Sequence, residues 1–349
     1  MIGYIFDALG AIAAVLLLAQ IWKERELFGN SGMFCCPKAS VIVPVKGRDI
    51  GFRDNVRSLL SQDYPNYEVI YVTDGEDEVY QELVQLGVKS VVSSFKCDGC
   101  SGKVRAQLSG LGVAGGEVIV FADSDTFYPS NWLRTMVAPL DRYAATTTFS
   151  WPRPNKLTLR NLLRAGFWTL GFESQFVGGR FLWGGSMAFR RDFLDREAIE
   201  EMSKEWCDDC TLTRLVKERG GKIAFLGEAI PANVYDERSL LSWSTRQIVT
   251  IRKYSPRGAR VFLVIGSFFS FLLIGSLLTG AWVGLIPFPL WAAKNALRAR
   301  KLKSWALPGI LMSVPAIFYA FALLVMKWRE NKVIWRGVEY HLSIKGERP

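Results

Sequence analysis

The stretch Glu117-Val-Ile-Val-Phe-Ala-Asp-Ser-Asp125 decides the fold. Four strand-forming apolar residues, Val118 to Phe121, run into Asp123-Ser124-Asp125. A short continuous apolar run predicts a strand buried on both faces, the parallel-sheet kind. Carboxylates at its exit then stand at the carboxyl end of a sheet, where open α/β folds place ligands. Acidic side chains spaced two apart on an extended turn can point the same way and share a hard cation. Mg²⁺ and Mn²⁺ prefer oxygen ligands and commonly bridge carboxylates to phosphate. A solvated turn after a strand reads the same in isolation, so the surrounding chain has to decide.

Upstream, Ser40 to Val45 predicts a buried strand and Phe52 to Leu60 a helix with Phe52, Val56, Leu59 and Leu60 on one face. Pro65 ends that segment. Glu68 to Val72 predicts a second strand, followed by Thr73-Asp74-Gly75; residues 76–86 a helix; Ser90 to Val92 a third strand; Lys103 to Ala114 a further helix. Strand and helix in alternation give a parallel sheet with right-handed crossovers, an α/β domain.

The remainder is apolar. Residues 8–22 form one run, and 261–293 and 305–326 carry no charge. With the first run extended upstream by Ile2 to Phe6, where only Asp7 is charged, each is long enough to cross about 30 Å of hydrocarbon, which takes about 20 helical residues. Residues 1–22 lack the basic start and small-residue cleavage site of a signal peptide, so they are expected to stay as an anchor. The run 261–293 predicts either one tilted span or a hairpin broken near Gly280. Lysine and arginine outnumber aspartate and glutamate 43 to 33, for a net charge of +10 and a pI near 9.3. The basic residues cluster beside the apolar segments: Lys23 and Arg25; Arg252 to Arg260; Lys294 to Lys303; Lys327 to Arg336. That placement predicts contact with anionic lipid at the inner membrane surface and no nucleic-acid partner, because a nucleic-acid footprint belongs on the soluble portion. Basic segments on both sides of 305–326 are incompatible with simple crossings unless one segment lies flat. Of the six cysteines, Cys97, Cys100, Cys207 and Cys210 form two C-x-x-C pairs. They are expected as free thiols, with zinc or disulfides as the alternatives.

Several stretches in order carry a resemblance: Pro44-Val-Lys-Gly47, Gln62-Asp-Tyr-Pro-Asn-Tyr-Glu-Val69, Thr73-Asp-Gly75, Ala122-Asp-Ser-Asp125, Leu182-Trp-Gly-Gly-Ser-Met-Ala-Phe-Arg-Arg191 and Trp206-Cys-Asp-Asp-Cys-Thr-Leu-Thr-Arg-Leu-Val-Lys-Glu-Arg-Gly220. Together they resemble the family 2 glycosyltransferases of the GT-A fold. The single N-terminal anchor, the C-terminal membrane segments and the tail Ile334-Trp-Arg-Gly-Val-Glu-Tyr340 are similar to the ceramide glucosyltransferase-like branch. The implied domains are an anchor at 1–22, a mostly parallel GT-A domain at 38–255, two or three membrane segments within 261–326, and a basic tail at 327–349.

The resemblance also implies roles. Asp74 would contact the nucleobase of a nucleotide-sugar, with Pro44 and Lys46 in the same donor site. Asp123 would face ribose and metal, and Asp125 would hold Mg²⁺ or Mn²⁺ on the diphosphate. Lys103, at a helix start, suits phosphate, and Gly185 lets backbone approach the sugar. Asp208 and Asp209 precede a helix, where one aspartate serves as an ordinary cap. An inverting transferase needs a base for the acceptor hydroxyl; the resemblance assigns Asp209, with Asp208 as runner-up. Trp183 and Gly184 are expected at the acceptor. Trp243-Ser-Thr-Arg246-Gln247 departs from the relatives' Gln/Arg-x-x-Arg-Trp motif at its first and last positions. Arg246 keeps the charge for a departing diphosphate, and Trp243 is expected at the acceptor. The expected activity is hexose transfer from a UDP-glucose-like donor to the hydroxyl of a membrane lipid, by a protein of the cell membrane with its catalytic domain in the cytoplasm. The alternatives are a processive polysaccharide synthase and, from another class, an inactive scaffold or lipid-binding protein.

Overall fold

The computed structural model describes residues 2–25, 36–97, 99–177, 179–335 and 338–342. Linker residues Gly29 to Gly32, Arg336 and the tail beyond 342 lie outside them. The chain divides into two compact units. A sheet unit comprises Leu27–Ser150 and Gly179–Tyr235; a helical unit comprises Met1–Glu26, Trp151–Gly178 and Asp236–Pro349. Residues 151–178 and 236–255, expected within the catalytic domain, therefore cluster with the apolar helices.

The sheet unit is the expected α/β layer structure. Its seven strands lie in the order Lys89–Val92, Tyr67–Thr73, Ala39–Val45, Val118–Ala122, Ser186–Arg190, Ala145–Thr147 and Ile223–Phe225. The first four are parallel, with Val41 paired to both Val69 and Val120. Ser186–Arg190 runs antiparallel to both neighbours, which makes the sheet mixed. Alternation along each strand explains why the sequence runs are apolar throughout. Val41, Val43, Val118 and Val120 face a core shared with Val56, Leu59 and Trp132. Ile42, Ile70, Ile119 and Phe121 face the other way, against Val104, Leu108, Leu111 and Leu212. Both faces are covered, as buried parallel strands require.

The helical unit holds helix Ile2–Glu24, helix Leu159–Val177, helix Leu240–Tyr254, helix Pro256–Thr279, helix Pro287–Arg298 and helix Ala306–Met326. A two-stranded ribbon, Lys332–Trp335 with Val338–His341, follows. Three helical stretches are apolar and long enough to span a membrane: Ile2–Glu24, Pro256–Thr279 and Lys303–Met326. The 261–293 run takes the hairpin alternative. Gly280 ends its first helix in the left-handed region at φ 68°, where a side chain is disfavoured. The chain then restarts through a short turn at Val283–Leu285 into Pro287–Arg298.

The C-x-x-C cysteines depart from the free-thiol expectation. Cys97 pairs with Cys100 and Cys207 with Cys210 as disulfides. Spacing by three brings their Cα atoms to 5.8 and 5.4 Å, inside the range a disulfide needs. Among the described residues Cys36 is the free, exposed thiol.

Candidate active site

The site grows from the end of strand Val118–Ala122. Asp123 is fixed on its backbone side by Tyr128: the Asp123 N–H donates to the phenol oxygen at 2.8 Å, and the phenol O–H donates to the Gly185 carbonyl at 2.7 Å. Tyr128 is buried and lies against the Trp132 ring at 4.3 Å. One phenol thus ties the Asp-Ser-Asp turn to the Gly184-Gly185 segment. Ser124 donates to Asp49 at 2.6 Å, and the Asp125 carbonyl accepts from the Val234 N–H at 2.8 Å.

Lys103 sits in the first turn of helix Gly102–Val113, which Ser101 caps through the Val104 N–H. Its ammonium lies 2.8 Å from Asp123 and 3.2 Å from Asp208, with 16% of the side chain exposed. Burial works against its charge, yet Asp123, Asp208 and Asp209 together hold its pKa above the ordinary lysine range. The lysine expected to face phosphate is therefore clamped between carboxylates.

Asp208 and Asp209 open helix Asp208–Glu218. Their roles are distinct. Asp208 is buried, pairs with Lys103 and accepts a hydrogen bond from Gln107 at 2.7 Å. Asp209 accepts from the Gly184 N–H at 2.8 Å. The disulfide sulfurs of Cys207 and Cys210 lie 3.0 and 3.4 Å from its other oxygen. Burial first, and then the neighbouring Asp208 charge, push the Asp209 carboxyl up to about 7, against the pull of Lys103 and the Gly184 N–H. Neither aspartate is a side-chain cap; Cys207 holds the cap position.

The two glycines are required by closeness. A Cβ on Gly185 would collide with the Trp183 ring and Asp123 Oδ2, and one on Gly184 would stand 2.7 Å from Asp208 Oδ2 and 2.8 Å from Lys103 Nζ. A side chain at either position would displace members of the carboxylate cluster. Trp183 is buried beside them against Phe149 at 5.7 Å, its backbone N–H donating to the Thr147 hydroxyl.

At the end of strand Tyr67–Thr73, Asp74 pairs with Lys46 at 3.2 Å and with Arg105 at 3.5 Å. Pro44 lies one residue before the end of strand Ala39–Val45. The structure thus gathers Lys103, Asp123, Gly184, Gly185, Asp208 and Asp209 into one cluster, with Asp125 two residues along, and joins Lys46 to Asp74. Trp243 and Arg246 belong to the helical unit, on helix Leu240–Tyr254. There Trp243 is buried against Phe167 at 5.3 Å and Trp168 at 5.7 Å, with the Arg164 guanidinium over its ring.

Sequence reasoning passed over Tyr128, Gln107, Asp49 and Arg105. No local signal marks them, because each acts on a partner brought from elsewhere in the chain. Asp123 and Asp125 offer two hard oxygen donors; among the described residues they do not join a third acidic or cysteine ligand in one cluster. Such a pair suits Mg²⁺ or Mn²⁺ completed by phosphate oxygens and water, rather than an all-protein cage.

The chain is similar to known glycosyltransferases. It is 32% identical over 96 residues to an uncharacterized glycosyltransferase of Rickettsia bellii (strain RML369-C), a match spanning 28% of this chain and 14% of that relative's length. Among solved structures, it resembles the mannosyltransferase PcManGT from Pyrobaculum calidifontis, in complex with GDP-Man and Mn²⁺, with a TM-score of 0.48 and 17% identity over 95% of this chain and 100% of that one. It also resembles S. aureus TarS 1–349 in complex with UDP-GlcNAc, with a TM-score of 0.39 and 14% identity over 89% and 98%. Residues 5–348 match the profile of Glycosyl transferase family 21, so the chain belongs to that ceramide glucosyltransferase-like family and is a glycosyltransferase.

Proposed function

We propose that the protein is a membrane-bound, inverting hexosyltransferase. It moves one sugar from a UDP-hexose to a free hydroxyl of a membrane lipid, on the cytoplasmic face of the cell membrane, with Mg²⁺ or Mn²⁺. The observation that carries this reading is Asp209. It is a carboxyl whose pKa is pushed up to about 7, hydrogen-bonded to Gly184 and set beside the cluster that contains Asp123. A base of that pKa matches proton removal near neutral pH. In the step, the acceptor hydroxyl loses its proton to Asp209 as its oxygen bonds to the anomeric carbon. The bond from that carbon to the diphosphate breaks, and UDP leaves with the electron pair.

Asp123 and Asp125 would hold the cation, which supplies charge for the diphosphate as it departs. Asp74, ordered by Lys46, is suited to the nucleobase and Pro44 to the adjoining wall. Gly185 admits the sugar. Trp183 and Gly184 are assigned to the acceptor.

The test is transfer of label from UDP-[¹⁴C]glucose, UDP-galactose or UDP-N-acetylglucosamine to a membrane lipid extract, with Mn²⁺ or with chelator. One sugar per organic-soluble product is expected, and chelator should abolish it. Label confined to polymer would make the protein a processive synthase, and absence of both transfer and UDP release would leave an inactive scaffold. Asp125→Asn is expected to lose Mn²⁺-dependent UDP binding in calorimetry.

A further inference from the structure

The apolar segments do not all have the same relation to the membrane. Helix Ile2–Glu24 and helix Pro256–Thr279 run antiparallel. Gly3 lies at Thr279, the Phe6 ring lies on Gly275 and Phe271, and Leu17 clusters with Ile265 and Phe269. The segment 283–298 runs parallel to the first helix. Asp7 accepts from the Val283 and Gly284 N–H groups at 2.9 and 3.2 Å, Gln20 accepts from Lys294 at 3.0 Å, and Glu24 accepts from Arg298 at 2.7 Å. Its 16 residues, 283 to 298, rise about 24 Å if helical throughout, about 6 Å short of the bilayer core, a mismatch that local thinning and snorkelling of its flanking basic residues accommodate as it returns. Residues 24, 256 and 298 therefore lie toward one side, and residues 7 and 279–283 toward the other.

Helix Ala306–Met326 has both ends on the first of those sides. It begins eight residues after Arg298. There the Trp151 indole donates to the Trp305 carbonyl, and Trp151 lies against Phe172, itself beside the Arg298 guanidinium. At the far end, Arg252, four residues before Pro256, donates to the carbonyls of Lys327 and Glu330 and lies over the Trp328 ring. Between its ends the helix packs antiparallel along helix Leu159–Val177. Gly309 meets Thr169, Gly166 meets Met312 and Ala316, and Tyr319 meets Phe167. That partner carries Arg160, Arg164 and Glu173, and such charges are expensive inside hydrocarbon.

We propose that helix Ala306–Met326, although long and apolar enough to cross, does not. It lies along a single leaflet, and the crossings are Ile2–Glu24, Pro256–Thr279 and residues 283–298. Its exposed stripe of Leu307, Leu311, Val325 and Met326 faces the acyl chains of that leaflet. Its ends, Arg300 to Lys303 and Lys327 to Lys332, meet anionic head groups. This arrangement puts Lys23 and Arg25, Arg252 to Arg260, Lys294 to Lys303 and Lys327 to Lys332 on one side. The opposite ends, residues 2–7 and 276–286, contain no lysine or arginine. It satisfies the charge bias of inner loops with no exception, and it removes the conflict between the two basic flanks of 305–326.

The experiment uses the full chain in sealed right-side-out and inverted vesicles, with Cys35→Ser and Cys36→Ser as background. Single cysteines at Arg25, Trp282, Lys303 and Arg329 are probed with a membrane-impermeant maleimide. Arg25→Cys, Lys303→Cys and Arg329→Cys are expected to label from one face, and Trp282→Cys only from the other. Labelling of Lys303→Cys and Arg329→Cys from opposite faces overturns the proposal, as does labelling of Trp282→Cys and Lys303→Cys from the same face. Nitroxides at Leu307, Leu311, Ala322 and Met326 give a second readout that does not depend on sidedness. One common depth is expected; a progression approaching about 30 Å, the length of 20 helical residues, overturns it.

Discussion

Two clusters of buried charge, one in each unit, are built from the same residue types and have opposite characters. In the helical unit, Glu24 and Glu173 meet Lys294 and Arg298, two anions to two cations. Arg298 binds both glutamates, Lys294 lies 2.8 Å from Glu173, and Gln20 and Asn295 take further hydrogen bonds. In the sheet unit, Asp123, Asp208 and Asp209 surround Lys103 alone, three anions to one cation. The balanced cluster ties helix Ile2–Glu24, helix Leu159–Val177 and helix Pro287–Arg298 together and has no charge left to offer a ligand. The unbalanced cluster holds surplus negative charge: burial first, and then the neighbouring Asp208 charge, raises Asp209, and the surplus favours an incoming cation. Charge balance, more than burial, separates a lock from a reactive site.

The largest expected effect breaks the comparison at its reactive end. Asp209→Asn should lower transfer by about 10²–10⁴-fold, the usual cost of losing a general base. UDP-sugar affinity and thermal midpoint should stay near wild type, because the group acts only as reaction proceeds. Asp208→Asn should lose less. An inactive Asp208→Asn beside an active Asp209→Asn would exchange the two roles. If Asp209 is the base proposed above, wild-type transfer should also fall on the acid side with an inflection near pH 7, because a base works only when deprotonated.

Arg298→Met attacks the lock. Two glutamates lose a shared partner, and removing one member of a buried pair costs about 3–5 kcal/mol. Chemical denaturation should show that loss, with turnover per folded molecule nearly unchanged. A variant that folds normally but transfers poorly would show that the balanced cluster also serves the reaction.

Lys103→Met sharpens the contrast by leaving the carboxylates without their cation. Loss of hydrogen bonds between charged groups is worth about 2 kcal/mol here. Added Mn²⁺ should then raise the thermal midpoint of the variant more than that of wild type. Equal shifts would mean that the surplus charge does not attract the metal.

The smallest effect is a control at an ordinary surface pair. Partial burial opposes it, but hydrogen bonds from Lys89, the Gly115 N–H and Ser40 hold Glu68 at a pKa of about 2 against an ordinary 4.5. Its contribution is present above pH 4.5 and lost as pH falls toward 2. Glu68→Gln should cost below about 1 kcal/mol at pH 7, and its stability should converge on wild type in acid.

Some of this was written locally in the chain. The apolar run 118–121, the helix face Phe52–Val56–Leu59 and the acidic pairs at 123–125 and 208–209 announce themselves because burial imposes a period and metal or proton chemistry imposes a residue type. The ordered set of motifs carried the resemblance that the family match supports. The sequence also posed the topology problem, through basic flanks on both sides of 305–326. What it left open were relations between distant positions. That Lys103 meets carboxylates, that Tyr128 joins Asp123 to Gly185, and that Gln107 orients Asp208 depend on contacts 5 to 105 residues away, which no spacing encodes. The same holds for helix Ala306–Met326. Composition determined that it is apolar enough for lipid; only its tertiary partners at Trp151, Thr169 and Arg252 decided where its two ends lie, because hydropathy measures transfer into hydrocarbon and carries no direction.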